Sequence, residues 1–323
     1  MNKPFISIVI PVYNKSLYLS DFFECCEQID SGIDIEIIFV DDGSTDTSWN
    51  LLLDYAKKNK RIKIFHQENA GAGYARNLGI EKSQGKYITF IDSDDLFNVG
   101  CIQKIIEKLT YSNTDILFLK FKNFNGDKIF DTYYSSDYEY DYLLRTSPAP
   151  WGRFFRKKFL IDNNIKFNNA RTGEDMYFNC LAQCYFPRND IFEETFIYYR
   201  IAENSLSTTI DKKPLAICES FNILIETLKE RNLFDTFIQK NLSRYCLKYI
   251  IDDLSKVNFT NKKKLMRAYQ SLLRMFGNTD TAKSCLFGKR YVMLHKLISN
   301  NKIMSALTYL QLLKIKEKLT CTN

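Results

Sequence analysis

The sequence predicts an α/β fold, a mostly parallel sheet with flanking helices over residues 1–210, followed by an all-helical region over 211–323. Three observations carry this expectation. Apolar, β-rich runs alternate with helical stretches through the first hundred residues. Three of those runs end in polar clusters, as strands do when a ligand crevice lies beyond their carboxyl ends. Beyond about Asp211, leucine, isoleucine, phenylalanine and tyrosine recur at helical spacing, with few glycines.

In chain order, Phe5 to Ile10 forms the first strand and leads into Pro11-Val12-Tyr13-Asn14. Ile35 to Val40 forms the second and ends in Asp41-Asp42-Gly43-Ser44. Ile62 to Phe65 is the third, a helix is expected from Ala70 to Ser83, and Lys86 to Ile91 is the fourth. Strands alternating with helices give βαβ units and a parallel sheet covered on both faces. Residues 111–150 read as further strands and a tyrosine-rich loop, then a helix over 173–185 and a strand over 191–200. The tail carries four helical stretches, at 217–231, 234–255, 262–276 and 291–315.

Composition narrows the classes. Hydrophobic residues make up 45% of the 323 and aromatics 15%, enough for a sizeable core. The nine cysteines are odd in number and form no CxxC pair, which fits reduced thiols and a cytoplasmic protein. The N-terminus reads as a strand and not a signal peptide, and no run reaches the roughly 18 apolar residues of a spanning helix. Charge is uneven: residues 211–323 hold 21 Lys and Arg against 9 Asp and Glu, while residues 1–210 carry a net negative balance. A catalytic part followed by a basic part that meets an anionic partner is the expected arrangement.

The acidic turn Asp92-Ser93-Asp94-Asp95 directly after the fourth strand is the most informative motif. Clustered carboxylates at the end of a buried strand are costly unless a cation binds them. A divalent metal bridging to a diphosphate is a natural partner. Asp94 is the expected metal ligand and Asp92 a ribose or supporting contact, against the plainer reading of a solvated helix cap. Asp41 at the end of the second strand can accept from a uracil or ribose donor, while Ser44 or Thr45 can cap the following helix. The glycines of Asn69 to Gly79 suit close helix–sheet packing, and Arg76 among them fits a bidentate contact with phosphate or base. Asp175 is the candidate general base, with Glu174 beside it, although acidic residues in a first helical turn are favoured anyway. Trp151, followed by Gly152 and Arg153, is either a core side chain or a platform for a sugar face. Arg200 either closes over a diphosphate or lies on the surface.

Taken in order, Pro11 to Asn14, Val40 to Ser44, Asn69 to Gly79, Asp92 to Asp95, Trp151 to Arg153, Glu174-Asp175 and Tyr199-Arg200 resemble the inverting, bacterial-type glycosyltransferases of family 2. The resemblance covers roughly residues 4–208. It implies the GT-A fold, with a Rossmann-like sheet, and a UDP-sugar donor. It further implies Mn²⁺ or Mg²⁺ at Asp94, and single displacement with inversion in bacterial surface-glycan synthesis. It gives Asp41 to the uracil, Asp92 to the ribose and Asp175 to the acceptor hydroxyl. Pro11, Tyr13, Arg76, Ser93 and Arg200 are grouped with the nucleotide-sugar contacts, and Trp151, Arg153 and Glu174 with the sugar or acceptor. Two departures stand out: Ile201 to Ser207 holds none of the histidine that some relatives place there, and Arg153 replaces a common lysine.

Three rival readings compete with this one. A sugar nucleotidyltransferase is disfavoured because Tyr13-Asn14-Lys15-Ser16 lacks a glycine-rich loop after the first strand. A catalytically silent nucleotide-binding scaffold is disfavoured by retention of Asp92, Asp94 and Asp175. Nucleic-acid binding lacks any motif. Lys302, Lys314, Lys316 and Lys318 around Leu307, Leu310, Leu312, Leu313 and Ile315 instead suggest peripheral contact with the inner membrane face, near a glycan or polyprenyl-linked acceptor.

Overall fold

The structure is a computed structural model that describes residues 3–125, 128–131, 149–170, 172–201, 213–254 and 259–276, with scattered positions between 293 and 309. The chain divides into two compact units, Met1–Ser135 with Ser147–Glu203, and Ser136–Thr146 with Asn204–Asn323.

In the first unit, strands β1 (Ile6–Val12), β2 (Ile35–Asp41), β3 (Ile62–His66) and β4 (Tyr87–Phe90) form a parallel set in the order β3-β2-β1-β4. Helices α1 (Leu19–Glu27), α2 (Ser48–Ala56) and α3 (Ala72–Lys82) connect them. Every residue of β1 and β2 is buried, as expected for strands covered on both faces. Gly79 lets α3 lie directly on β1, since a Cβ there would run into Val9.

Past β4 the sheet changes character. After β5 (Leu96–Phe97) and α4 (Ile102–Tyr111) come β6 (Ile116–Asn125), β7 (Lys128–Asp131), β8 (Arg153–Arg156), α5 (Lys157–Asp162), α6 (Glu174–Cys184) and β9 (Asn189–Arg200). Strand β8 runs antiparallel to both β4 and β6, whereas β6 and β9 are parallel. The parallel expectation therefore holds for the first four strands, and the sheet as a whole is mixed. The order reverses between β1 and β4, which opens a crevice at their carboxyl ends.

The second unit is helical among its described residues: α7 (Lys213–Glu230), α8 (Thr236–Leu254) and α9 (Phe259–Met275). Ile217, Phe221, Leu224, Ile225 and Leu228 form one buried stripe on α7. Leu265, Met266, Tyr269 and Leu272 do the same on α9. The expected helix over 291–315 lies largely outside the described residues, and Lys314, Lys316 and Lys318 lie wholly outside them. No described helix is long and apolar enough to cross a membrane.

Candidate active site

Three strand ends converge on one polar cluster. The β1 end is tied to the loop after β2 by Asn14, which occupies the left-handed region at φ 53°. Its Oδ1 accepts from the Thr45 amide at 2.8 Å, and its own amide donates to Ser44 Oγ at 3.0 Å. Ser44 and Thr45 are thus spent on this staple and do not cap α2. That helix begins at Ser48, whose amide donates to Asp46 Oδ1 at 2.9 Å. Amide and hydroxyl donors from Ser48, with the Ser16 amide, overcome the cost of burial and hold Asp46 down at about 2.

At the end of β2, Asp41 and Asp42 are both buried. Asp42 is fully engaged, accepting from Gln67 Nε2 at 2.7 Å and from the amides of Ala70 and Gly71 at 2.9 and 2.8 Å. It fixes the entry to α3. Gly43 makes this turn possible: its φ is +72°, and a Cβ there would sit 2.8 Å from the Asn69 amide nitrogen. Asp41 is different. Its Oδ2 meets His66 Nδ1 at 2.8 Å and the Ser44 amide at 3.2 Å, but its Oδ1 is buried with no hydrogen-bond partner. A buried carboxylate oxygen in that condition is a waiting acceptor. Trp49 lies beside His66, with ring centroids 5.1 Å apart.

Arg76 forms the centre of the second half of the site. The α3 helix buries it to 3% exposure, and it donates from Nη2 to Asp92 Oδ1 and from Nη1 to Asp175 Oδ1, both at 2.8 Å. Glu174 lies 3.9 Å from Nη1. Burial alone would weaken its hold on the proton, but the charges of Asp175, Asp92 and Glu174 outweigh burial and raise its pKa above the ordinary arginine value. The guanidinium expected on phosphate or base is therefore committed to two carboxylates. It joins the β4 end to the first turn of α6. Asp92 and Asp175 themselves remain partly exposed, at 30% and 29%.

The acidic turn is braced from β9. Arg200 donates from Nε to the Asp94 carbonyl at 2.7 Å, from its amide to Asp95 Oδ1 at 2.8 Å, and from Nη2 to Asp21 at 3.0 Å. Its planar face also covers Tyr18 and Phe124. Asp95 is buried, with Oδ2 unpartnered, and burial followed by the Asp92 charge pushes its pKa well above the usual carboxylate range. Asp94 points outward and is paired with the Lys15 ammonium. Among the described residues no group of three His, Cys, Asp or Glu side chains could hold a metal by itself. Asp94 does offer one hard oxygen donor at the rim. Its donor chemistry fits a divalent cation completed by the oxygens of a bound diphosphate and by water.

The remaining expected contacts are placed as follows. Trp151 is 8% exposed; Tyr199 stacks on it at 5.4 Å and Phe121 meets it edge-on at 4.6 Å, the packing of a largely buried ring. Arg153, at 3% exposure, turns inward to the Ala149 carbonyl and over the Phe118 ring. Pro11 lies in register with Val40 inside the sheet, and Ser93 is 2% exposed. Tyr13 is 46% exposed at the end of β1. Lys15 and His66 carry no local sequence signal of a role here, because their partners lie 79 and 25 residues away.

Comparison with known proteins gives this geometry a context. Residues 7–172 match the family "Glycosyl transferase family 2". EpsH of Bacillus subtilis (strain 168) is 30% identical over 260 residues, covering 73% of this chain and 73% of EpsH. The glycosyltransferase GlyA of Streptococcus pneumoniae serotype 4 is 27% identical over 246 residues, 70% of this chain but 34% of GlyA. The chain thus spans about a third of GlyA. Among solved structures, S. aureus TarS 1–349 in complex with UDP-GlcNAc superposes with a TM-score of 0.81 at 19% identity, over 96% of this chain and 92% of that one. At that identity the likeness speaks to the fold alone.

Proposed function

Because the chain belongs to glycosyl transferase family 2, we propose that it moves a sugar from a UDP-sugar to an acceptor hydroxyl, with inversion at the anomeric carbon. The observation that carries this reading is the buried, unpartnered Oδ1 of Asp41 in the same crevice as the Asp92–Arg76–Asp175 chain of ion pairs. TarS, which shares the fold, was crystallised with UDP-GlcNAc and with UDP, and this favours a uridine donor.

In this reading Asp41 accepts from the uracil and Asp92 contacts the ribose. Asp175 takes the proton of the acceptor hydroxyl as its oxygen bonds to the anomeric carbon and the bond to the diphosphate breaks. Arg76 orients Asp175 and Asp92 through its two hydrogen bonds, so it serves as a positioning residue. Arg200 holds the acidic turn in place. Asp94 would hold Mn²⁺ or Mg²⁺ together with the diphosphate. Such an ion supplies charge neutralisation for the leaving group. A mannosyltransferase of the same fold, from Pyrobaculum calidifontis, was solved with GDP-Man and Mn²⁺.

Residues 1–210 form the catalytic domain in this account, and the basic residues of 211–323 bring it to an anionic surface carrying a glycan or polyprenyl-linked acceptor. Flotation with liposomes containing anionic lipid tests that last point, and no binding contradicts it. The donor reading is tested by thermal stabilisation with UDP-, GDP- and dTDP-sugars, with and without Mn²⁺. A ligand at a hundredfold excess over its dissociation constant adds about 2.7 kcal/mol of stability. A metal-dependent shift with one UDP-sugar, lost in Asp94→Asn, is the expected result; no shift with any nucleotide overturns the reading.

A further inference from the structure

We infer that Lys15 is a resident counter-cation for Asp94, holding the metal position closed until a nucleoside diphosphate arrives and then transferring its own charge to that diphosphate. The inference rests on the donor-site reading above and adds to it an order of events. Lys15 follows the β1 end, and its ammonium sits on the Asp94 carboxylate across the mouth of the crevice. Its backbone cannot drift, because its amide donates to Ser48 Oγ at 2.9 Å, and Asn14 before it is stapled to residues 44–46. The side chain can move. It is 31% exposed, reaches the carboxylate on a flexible four-carbon stem and passes 5.5 Å from the Tyr18 ring centroid.

A divalent cation binding Asp94 in the nucleotide-free protein must expel this ammonium into water. One arriving with a diphosphate does not, because the displaced ammonium finds phosphate oxygens next to the carboxylate it leaves. Metal and nucleotide therefore strengthen each other's binding, and by linkage the coupling is reciprocal. Lys15 is the source of that coupling on the protein side. The rest of the acidic turn cannot take over from Asp94, since Asp92 is held by Arg76 and Asp95 is buried.

The test measures Mn²⁺ binding to nucleotide-free protein by electron paramagnetic resonance, then UDP binding by calorimetry with and without Mn²⁺. Wild type, Lys15→Met and Lys15→Arg are compared. With the competing charge removed, Lys15→Met should bind Mn²⁺ roughly fivefold more tightly than wild type, and Lys15→Arg about as wild type does. Lys15→Met should also bind UDP more weakly without Mn²⁺. Equal or weaker Mn²⁺ binding by Lys15→Met, or measurable binding by no variant, overturns the inference. Failure of wild type to bind UDP under either condition counts against the donor site itself, and the Mn²⁺ arm still decides Lys15 because it uses no nucleotide.

Discussion

The two ends of the parallel strands bury acidic groups in opposite ways. At the amino end, Glu36 is 3% exposed and fully satisfied. Its Oε1 accepts from Ser7 Oγ at 2.5 Å and from the amides of Gln84 and Gly85 at 2.5 and 3.2 Å, while Lys63 donates to Oε2 at 2.6 Å. At the carboxyl end, Asp41 Oδ1, Arg76 Nε and Asp95 Oδ2 are buried with no partner. A buried charge costs several kcal/mol unless it is paired and hydrogen-bonded. The amino end meets that requirement within the chain and so ties β1, β2 and β3 to the approach to β4. The carboxyl end meets it only in part: Asp41, Arg76 and Asp95 each have partners on their other atoms, and the atoms left over are ones a ligand can complete. Thr89 Oγ1 in mid-strand also lacks a partner, but a hydroxyl costs far less than a charge to leave so.

The largest effect expected from this contrast is on catalysis. Asp175→Asn should lower kcat by about 10³-fold, within the range for losing a general base, and leave UDP affinity nearly unchanged. A steady-state assay of sugar release or transfer checks it; a kcat within an order of magnitude of wild type would remove Asp175 from its role.

At the amino end the prediction reverses. Glu36→Ala should cost about 3 kcal/mol of folding stability, because it strands the donors that now converge on the carboxylate. Urea unfolding measures this, and the surviving folded protein should bind UDP as wild type does. Gly85→Ala offers a second route to the same network, since its Cβ would lie 2.6 Å from the Ser7 amide nitrogen.

Asp41→Asn sharpens the comparison from the other side. It should weaken UDP binding by about 2 kcal/mol, the worth of a hydrogen bond to a charged acceptor. The nucleotide-free protein should be no less stable, because the atom replaced can be the Oδ1 that has no partner, while the side-chain oxygen retained can still accept from the Ser44 amide. Calorimetry and thermal melts run together separate the two. A large loss of stability with unchanged affinity would make Asp41 a structural group like Glu36.

The smallest effect concerns pH. Burial would raise the Glu36 pKa, yet hydrogen bonds from Lys63, Ser7 and Gln84 outweigh burial and lower it from 4.5. A group whose folded pKa is depressed contributes stability above its unfolded value and loses that contribution as pH falls through the folded one. Stability should therefore decline below about pH 4.5, and Glu36→Gln should flatten that decline. An unaltered pH slope in Glu36→Gln would assign the acid sensitivity to other carboxylates.

Much of the fold was legible because its signals are local. Strands β1 to β4 are short apolar runs, and their polar ends can be read without knowing what they touch. The mixed half of the sheet was less so, since the antiparallel pairing of β8 depends on contacts with β4 and β6 that no periodicity records. At the site, Asp41, Asp92, Asp94 and Asp175 could be nominated from their places at strand ends and a helix start. Burial and direction could not. Trp151 and Arg153 have the chemistry of ligand contacts, yet Tyr199 and the Ala149 carbonyl take them up. Arg76 was visible as an arginine among small residues, but its two carboxylate partners lie 16 and 99 residues away.

The central claim is that ligand completes the carboxyl end of this sheet and leaves the amino end alone. Hydrogen–deuterium exchange with and without saturating UDP and Mn²⁺ tests it most directly. The account predicts new protection in segments 12–16, 41–46 and 92–95, with exchange at Ser7, Glu36 and Gly85 unaltered. Protection centred on the amino end, or none at the three strand ends, would contradict it.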